Sequence, residues 1–419
     1  MKRALLFLTL LCALAFAPSC PAMIDGRMSD PEWFDGVASK LLVLEYESPF
    51  GGPYGKQLAE LIGRMALATV RGLDSFAVIT LRQEERPLSL TPETIEALAR
   101  KQHTPVVIWG EFYEQSGRIF VTSHLRHVAD TSSNARPMQI SWDISRLGIL
   151  GRTRAYASAP TAQVNFAPVE ISRTNLAALE SLWKQTVLLR SEPREDAQPS
   201  GELRPDRPYY VLGASNGWTQ LNVRQGGSGW VRLTDLSQDK QFKEMTGLVL
   251  YSQGLLQYLA GSHPTAIASF TGYLGKYAAR QDPMNEALAR ILLGYSYHLD
   301  LSTDPLKRMA LSTQEFERAA KLLPHSASPI NCQALALFNK AVRSKVSAQE
   351  MKQLERRLIR VIQTENDLQA VRNLQVLYHL PGARESFQDG KANFEEVRAQ
   401  RVTLLNDLEK QFRGKSKNE

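Results

Sequence analysis

Cysteine is nearly absent from this 419-residue chain. Of its three cysteines, Cys12 lies inside an apolar amino-terminal run and Cys20 closes the small-residue stretch after it. Only Cys332 is left if that leader is cut after Ala22, which excludes a disulfide framework within the mature protein. Cys332 falls in a helical pattern and reads as a small buried apolar residue rather than a reactive thiol. Long hydrophobic runs are missing too. Apart from Ala4–Ala17, no stretch is apolar enough to cross a bilayer, and that run is too short for a permanent span. A dominant charge is also lacking. Fifty Lys and Arg against forty-three Asp and Glu give +7, or +7 − 2 = +5 without Lys2 and Arg3. The signs are interleaved along the chain, so solvated faces are expected and a nucleic-acid footprint is not. Histidine is sparse: His103, His263, His298, His325 and His379 stand alone. His124 and His127 are three apart on a presumed strand, which points them to opposite faces and excludes a shared metal. No metal and no cofactor are expected.

What is present starts with an export signal. Lys2 and Arg3, the apolar run Ala4–Ala17 and small residues up to Ala22 have the layout of a secretory leader. Either cleavage follows Ala22, or Cys20 becomes a lipidated first residue. Both place the protein outside the cytoplasm, in the periplasm or on the cell envelope. A lipid on Cys20 would be its only membrane attachment.

From Lys40 to Val128 apolar strands alternate with helical stretches. Leu41–Tyr46, Phe76–Leu81, Val106–Tyr113 and Arg118–Val128 read as strands, and Gly55–Gly72 as a helix. Thr91 followed by Pro92 reads as the cap and first residue of a second helix. The order βαβαββ predicts a mixed sheet covered by helices. With Leu58-Ala59-Glu60-Leu61 and Trp109-Gly110-Glu111-Phe112 in place, this part resembles the amino-terminal domain of TolB-like envelope proteins, which implies an interaction domain. The loop Gly51–Gln57 sits where a phosphate-binding loop would. Its spacing is one residue short, Gln57 replaces the magnesium-binding Ser or Thr, and Pro53 lacks an amide, so a plain strand-to-helix turn is expected. Ala129–Val169 reads as an irregular extension with strand islands at Met138–Ile144 and Gln163–Phe166. Ser172–Gln185 follows as an amphipathic helix.

In Val187–Leu236, Tyr209–Leu212 and Thr219–Val223 flank Asn216-Gly217 with period-two patterning, the signature of a tight hairpin. The string Gly213–Gly217 mimics a nucleophile elbow, but Ser215 lies in a hairpin and not at a strand-to-helix turn, so no catalytic role is expected. The Leu-Arg-Ser-x-Pro opening (Leu189–Pro193), the Asn-Gly-Trp turn and Gly229-Trp230-Val231 resemble a bacterial SH3-like domain. The resemblance implies a binding module. Tyr209, Trp218 and Trp230 are its candidate ligand-binding residues, with Tyr209 expected to point away from Tyr210 and Leu212.

Beyond Asp235 the periodicity becomes helical, with helices expected at Met245–Leu259, Pro264–Tyr277, Met284–Leu299, Ser312–Leu323, Ser328–Arg343 and Ala348–Gln363. Gly254, Ala266 and Phe270, then Gly294, Phe316, Ala319 and Pro324, carry small and aromatic packing positions and resemble a degenerate tetratricopeptide (TPR-like) array, whose register of about 34 residues is broken by an insertion at Leu301–Lys307. Such an array implies a groove for peptides or partner helices. Ala383–Phe412 reads as one further helix.

The expected fold is a multidomain α+β chain: signal peptide 1–22, N-terminal α/β mixed-sheet domain 30–170, connecting helix 171–186, central small SH3-like β-barrel 187–237, C-terminal all-α TPR-like array 242–365, terminal helices 366–412 and a disordered tail 413–419. The expected function is a non-enzymatic exported scaffold or adaptor in the cell envelope, with envelope proteins or peptides as partners and peptidoglycan as a further ligand. The alternatives are an accessory subunit of a secretion, motility or transport complex, and a cell-wall hydrolase targeted by the barrel.

Overall fold

The computed structural model describes residues 31–415 apart from 35, 70–72, 74, 82–86, 88, 129–137, 148–153, 159–162, 184–185, 206, 233–234, 236–241, 243–244, 279–281 and 388–393. The leader 1–22 with Cys20, the first residues of the polar run after Val128, and residues 416–419 of the expected tail lie outside the described residues.

The expected mixed sheet is present. β1 (Ser39–Leu44) runs parallel to both β2 (Phe76–Leu81) and β3 (Val106–Gln115), with α1 (Tyr54–Thr69) and α2 (Pro92–Lys101) as crossovers. β3 turns back into β4 (Arg118–His127). β1 and β2 are buried along their whole length because helices cover both faces, which is why Leu41–Leu44 and Phe76–Ile79 read as unbroken apolar runs. Thr91 caps α2 in a reciprocal capping box with Thr94, with Pro92 in the first turn. In the glycine turn before α1, Gly51 and Gly52 have positive φ. A Cβ on Gly55 would stand 1.8 Å from the Tyr46 carbonyl oxygen. That glycine serves a close backbone crossing.

The stretch expected to be irregular is more ordered than its composition suggests. β5 (Gln139–Asp143) and β6 (Arg154–Ser158) form a separate hairpin, and β7 (Gln163–Ile171) extends well past Phe166 to pair with β4. β7 is an edge strand, where Pro168 costs no ladder bond between neighbours. α3 (Arg173–Trp183) follows and packs on α1.

The next five strands are β8 (Val187–Arg190), β9 (Pro199–Leu203), β10 (Tyr209–Ser215), β11 (Trp218–Val223) and β12 (Gly227–Arg232). The hairpin at Asn216-Gly217 forms as expected, with φ of 48° and 83° at its two central residues. The unit does not stand apart. β10 pairs antiparallel with β2, Tyr210 beside Ala77 and Val211 beside Phe76, so one ten-stranded sheet runs β7-β4-β3-β1-β2-β10-β11-β12-β8-β9. β9 ends the order of paired strands, and it also curls back onto the β11–β12 turn, where the Glu202 amide donates to the Gly226 carbonyl at 3.0 Å.

The C-terminal half is helical: α4 (Thr246–Ala260), α5 (His263–Lys276), α6 (Pro283–Leu299), α7 (Pro305–Leu322), α8 (Ala327–Arg343), α9 (Ala348–Glu365), α10 (Leu368–Leu377), α11 (Ala383–Phe387) and α12 (Phe394–Lys415). α7 starts seven residues before the expected Ser312, because Asp304 caps it through the Leu306 and Lys307 amides. The single expected helix 383–412 is two, and the second continues to Lys415, so the first residues of the expected tail are helical. The paired small and aromatic positions meet as anticipated. The Phe270 ring fills the space beside Gly254, and the Phe316 ring that beside Gly294.

α4, α6, α8 and α10 lie against the strands: α4 on β1 and β3, α6 on β7, and α8 and α10 on β6. α5 reaches the sheet through Tyr273, whose ring stands edge-on to Phe166. Hydrogen bonds stitch the halves together, from Gln253 to the Ala66 carbonyl, Asn285 to that of Asn165, Ser328 to that of Ser158 and Asn373 to that of Tyr156. One apolar core therefore runs continuously from α1 to α12. A second, smaller core on the opposite sheet face gathers Phe34, Leu42, Ile79, Ile95 and Trp109 beneath α2.

Candidate functional site

Cross-strand pairing decides which side chains of β8–β12 share a face, because residues opposite one another in an antiparallel ladder project to the same side. Val211, Leu221, Val223 and Val231 are buried and form the inner set. Tyr209 belongs with them at 2% exposure. It is therefore not a surface ligand-binding residue, which corrects the expectation for it. Its hydroxyl lies under Gly63 of α1, beside the buried pair Glu60 and Arg64, whose charged atoms approach to 3.6 Å. Burial first, and the Glu60 carboxylate second, push the phenol's pKa well above its ordinary value.

The outer set carries Tyr210, Trp218, Gln220, Asn222, Trp230 and Arg232. Gln220 stands opposite Trp230, and Trp230 opposite Arg190. Trp218 stands opposite Arg232, whose guanidinium lies 5.5 Å from the indole centroid and pairs with Glu195. Asn222 donates to the Tyr210 hydroxyl at 2.7 Å, and Tyr210 leans on Trp33 with ring centroids 5.8 Å apart. A bulge between Val211 and Gly213 pushes out Leu212, 43% exposed, and Leu188 on β8 is 54% exposed. The outer face thus combines half-exposed aromatic rings, two exposed leucines, amide side chains and arginines. Rings of this kind stack on flat C–H surfaces, while the amides and guanidinium groups take hydroxyls and carboxylates.

The structure brings Trp218 and Trp230 together on this face and places Tyr210 there, opposite Asn222, in place of Tyr209. A signal was present in the chain: the apolar residues Val211, Leu221, Val223 and Val231 share the parity of Tyr209, not that of Tyr210.

Ser215 pairs with Trp218 beside the turn, in a hairpin and not at a helix start. His124 and His127 take opposite faces, as expected. His124 contacts Asn165 at 2.7 Å and stacks near Trp109, whereas His127 is buried. Among the described residues, no three His, Cys, Asp or Glu side chains are grouped to hold a metal. Cys332 is fully buried, 3.6 Å from the Tyr295 hydroxyl, and burial raises its thiol pKa to about 12. Among the described residues, no helix is long and apolar enough to cross a membrane.

The helical half offers a different surface from the one that the expected repeats would imply. The first helices of its pairs face the chain's own strands, and what would be a partner groove there is filled by β7 and the β5–β6 hairpin. Comparison of the chain with protein-family models, curated proteins and solved structures finds no match in any of the three.

Proposed function

We propose that this chain is a non-enzymatic scaffold or adaptor of the bacterial cell envelope, exported by its amino-terminal leader, whose SH3-like strands bind a peptide or cell-wall ligand on the outer face of β10–β12. In this reading the paired helices are TPR-like but serve first as a platform for the sheet. One observation carries it: Tyr210, Trp218 and Trp230 share a half-exposed face with Arg190, Arg232 and Asn222, next to exposed Leu188 and Leu212. Burying rings costs little conformational entropy, and the neighbouring polar groups supply orientation.

Co-sedimentation of the purified protein with cell-wall sacculi tests the wall-ligand arm directly. The wild-type chain should be retained, and the Trp218→Ala/Trp230→Ala variant should lose retention about tenfold or more, the scale of an aromatic hot spot. Unchanged circular dichroism would certify the variant's fold. Equal retention of the folded variant would overturn the assignment of the face.

A further inference from the structure

α7, α8 and α9 enclose a feature that the aromatic face leaves unexplained. Between them lies a trough of about 300 Å³ whose walls include Leu306, Met309, Ala310, Ala336 and Leu337. Leu306 is 64% exposed at its mouth, an unusual position for a large aliphatic side chain. Gln353 also lines a second groove of about 640 Å³ along α9, together with Lys352, Arg356, Arg357 and Arg360. Lys352, Arg356 and Arg360 repeat every four residues, so they form one stripe with a cation at each turn, about 6 Å apart.

Among the described residues, no carboxylate pairs with the charges of this stripe. Arg357 donates to the Gln333 amide oxygen and Arg360 lies 3.0 Å from a His325 ring nitrogen, so neither contact is with a carboxylate. The carboxylates on the trough walls are Glu317 and Glu350, and Glu350 is already engaged by Lys340 and by the Ser347 cap. Glu355, also on α9, turns the other way to Tyr378 and Arg401. The surface is thus apolar at its recess and positive along its length.

We infer that α7–α9 form a docking site for an acidic amphipathic helix of a partner protein. Apolar side chains at helical spacing enter the trough, and carboxylates one turn apart meet Lys352, Arg356 and Arg360. Two features favour a helix over an anionic bilayer. The apolar part is recessed, so it takes a projecting side chain and not a flat surface, and the cation spacing equals one helical turn. This site lies on the outer side of the helical array and does not rest on the aromatic face of β10–β12.

The test uses the full chain and a fluorescein-labelled designed peptide about four turns long, with leucines at i, i+3, i+4 and i+7 and glutamates elsewhere. Anisotropy should report binding that weakens as salt is raised, since exposed charge pairs are screened. Lys352→Glu/Arg356→Glu should weaken it about tenfold or more, because like charges then face each other. Leu306→Ser should weaken it severalfold, and a peptide with lysines for glutamates should not bind. All three substituted positions are exposed, so the fold is kept; Lys352→Gln/Arg356→Gln gives a milder check with an intermediate loss. No binding to the wild type, or equal binding by the charge-reversal variant, overturns the proposal. Retention on phosphatidylglycerol vesicles that depends on Lys352 and Arg356, without peptide binding, would overturn it in favour of a membrane surface.

Discussion

His127 and His298 are imidazoles held inside the fold, and burial lowers the pKa of each to about 4 from an ordinary 6.5. Arg308 adds to the effect at His298. In the folded chain both stay neutral until the pH nears 4, while the unfolded chain takes up protons below about 6.5. Their contribution to stability is therefore whole above pH 6.5 and is lost as the pH falls towards 4, by roughly 3 kcal/mol each. Glu350 works in the same direction. Its hydrogen bond with Lys340, aided by Ser347, lowers its pKa to about 2, so its share fades below the ordinary carboxylate range. Replacing His127 by Phe should flatten the acid limb of a stability-versus-pH curve from urea unfolding at pH 7 and pH 4.5. An unchanged difference between the two pH values would show that His127 is not the titrating group. The Glu60–Arg64 pair under Tyr209 sets a second residue-scale expectation. Arg64→Met leaves a carboxylate buried beside a phenol and should cost about 3–5 kcal/mol, whereas removing both charges by Glu60→Leu/Arg64→Met should restore much of the loss. Additive losses in denaturant melts would refute the coupling.

At the scale of elements, the helix pairs rest on two glycines that give way to phenylalanine rings. A methyl on Gly294 would stand 2.4 Å from Phe316, and one on Gly254 would stand 2.9 Å from Phe270. Alanine favours helices by up to about 1 kcal/mol, but overpacking costs about 1–3 kcal/mol, so Gly294→Ala should destabilise α6–α7. Phe316→Leu should rescue it in part, and a double-mutant cycle showing no coupling would count against the packing account. These contacts were legible in the chain because a glycine and an aromatic at fixed helical offsets have few other physical explanations. The strands β1, β2, β3 and β4, the Thr91-Pro92 cap and the Asn216-Gly217 turn were legible for the same reason: local chemistry determines them. The start of α7 carried an equivalent signal in Asp304-Pro305 that the presumed insertion concealed. The inward face of β10–β12 is legible in the shared parity of Val211, Leu221, Val223 and Val231, and an outward Tyr209 runs against it. What no local pattern encodes is the ladder between β10 and β2, a pairing across more than a hundred residues. The same holds for the packing of alternate helices on the strands, which turned an expected partner groove into an internal contact.

At the scale of the whole molecule, that internal contact decides how the chain unfolds. Modules joined only by linkers would melt separately, yet here Phe166 of β7 packs edge-on to Tyr251 of α4 and Tyr273 of α5, and all three rings are buried. The apolar core passes from sheet to helices without a break. Composition provides two separable probes of this. Trp33, Trp109, Trp142, Trp183, Trp218 and Trp230 are the six tryptophans of the chain, and all precede α4. Tryptophan fluorescence therefore follows the sheet half, while far-UV circular dichroism is dominated by the helices of the other half. The two signals should trace one coincident urea transition, the behaviour of a cooperative unit. Phe166→Ala removes the ring that both halves share, at a cost of about 3–5 kcal/mol, and should move both curves to lower urea together. A variant in which fluorescence shifts while the helical signal stays in place would mean that the halves are independent domains and that the Phe166 contact does not couple them.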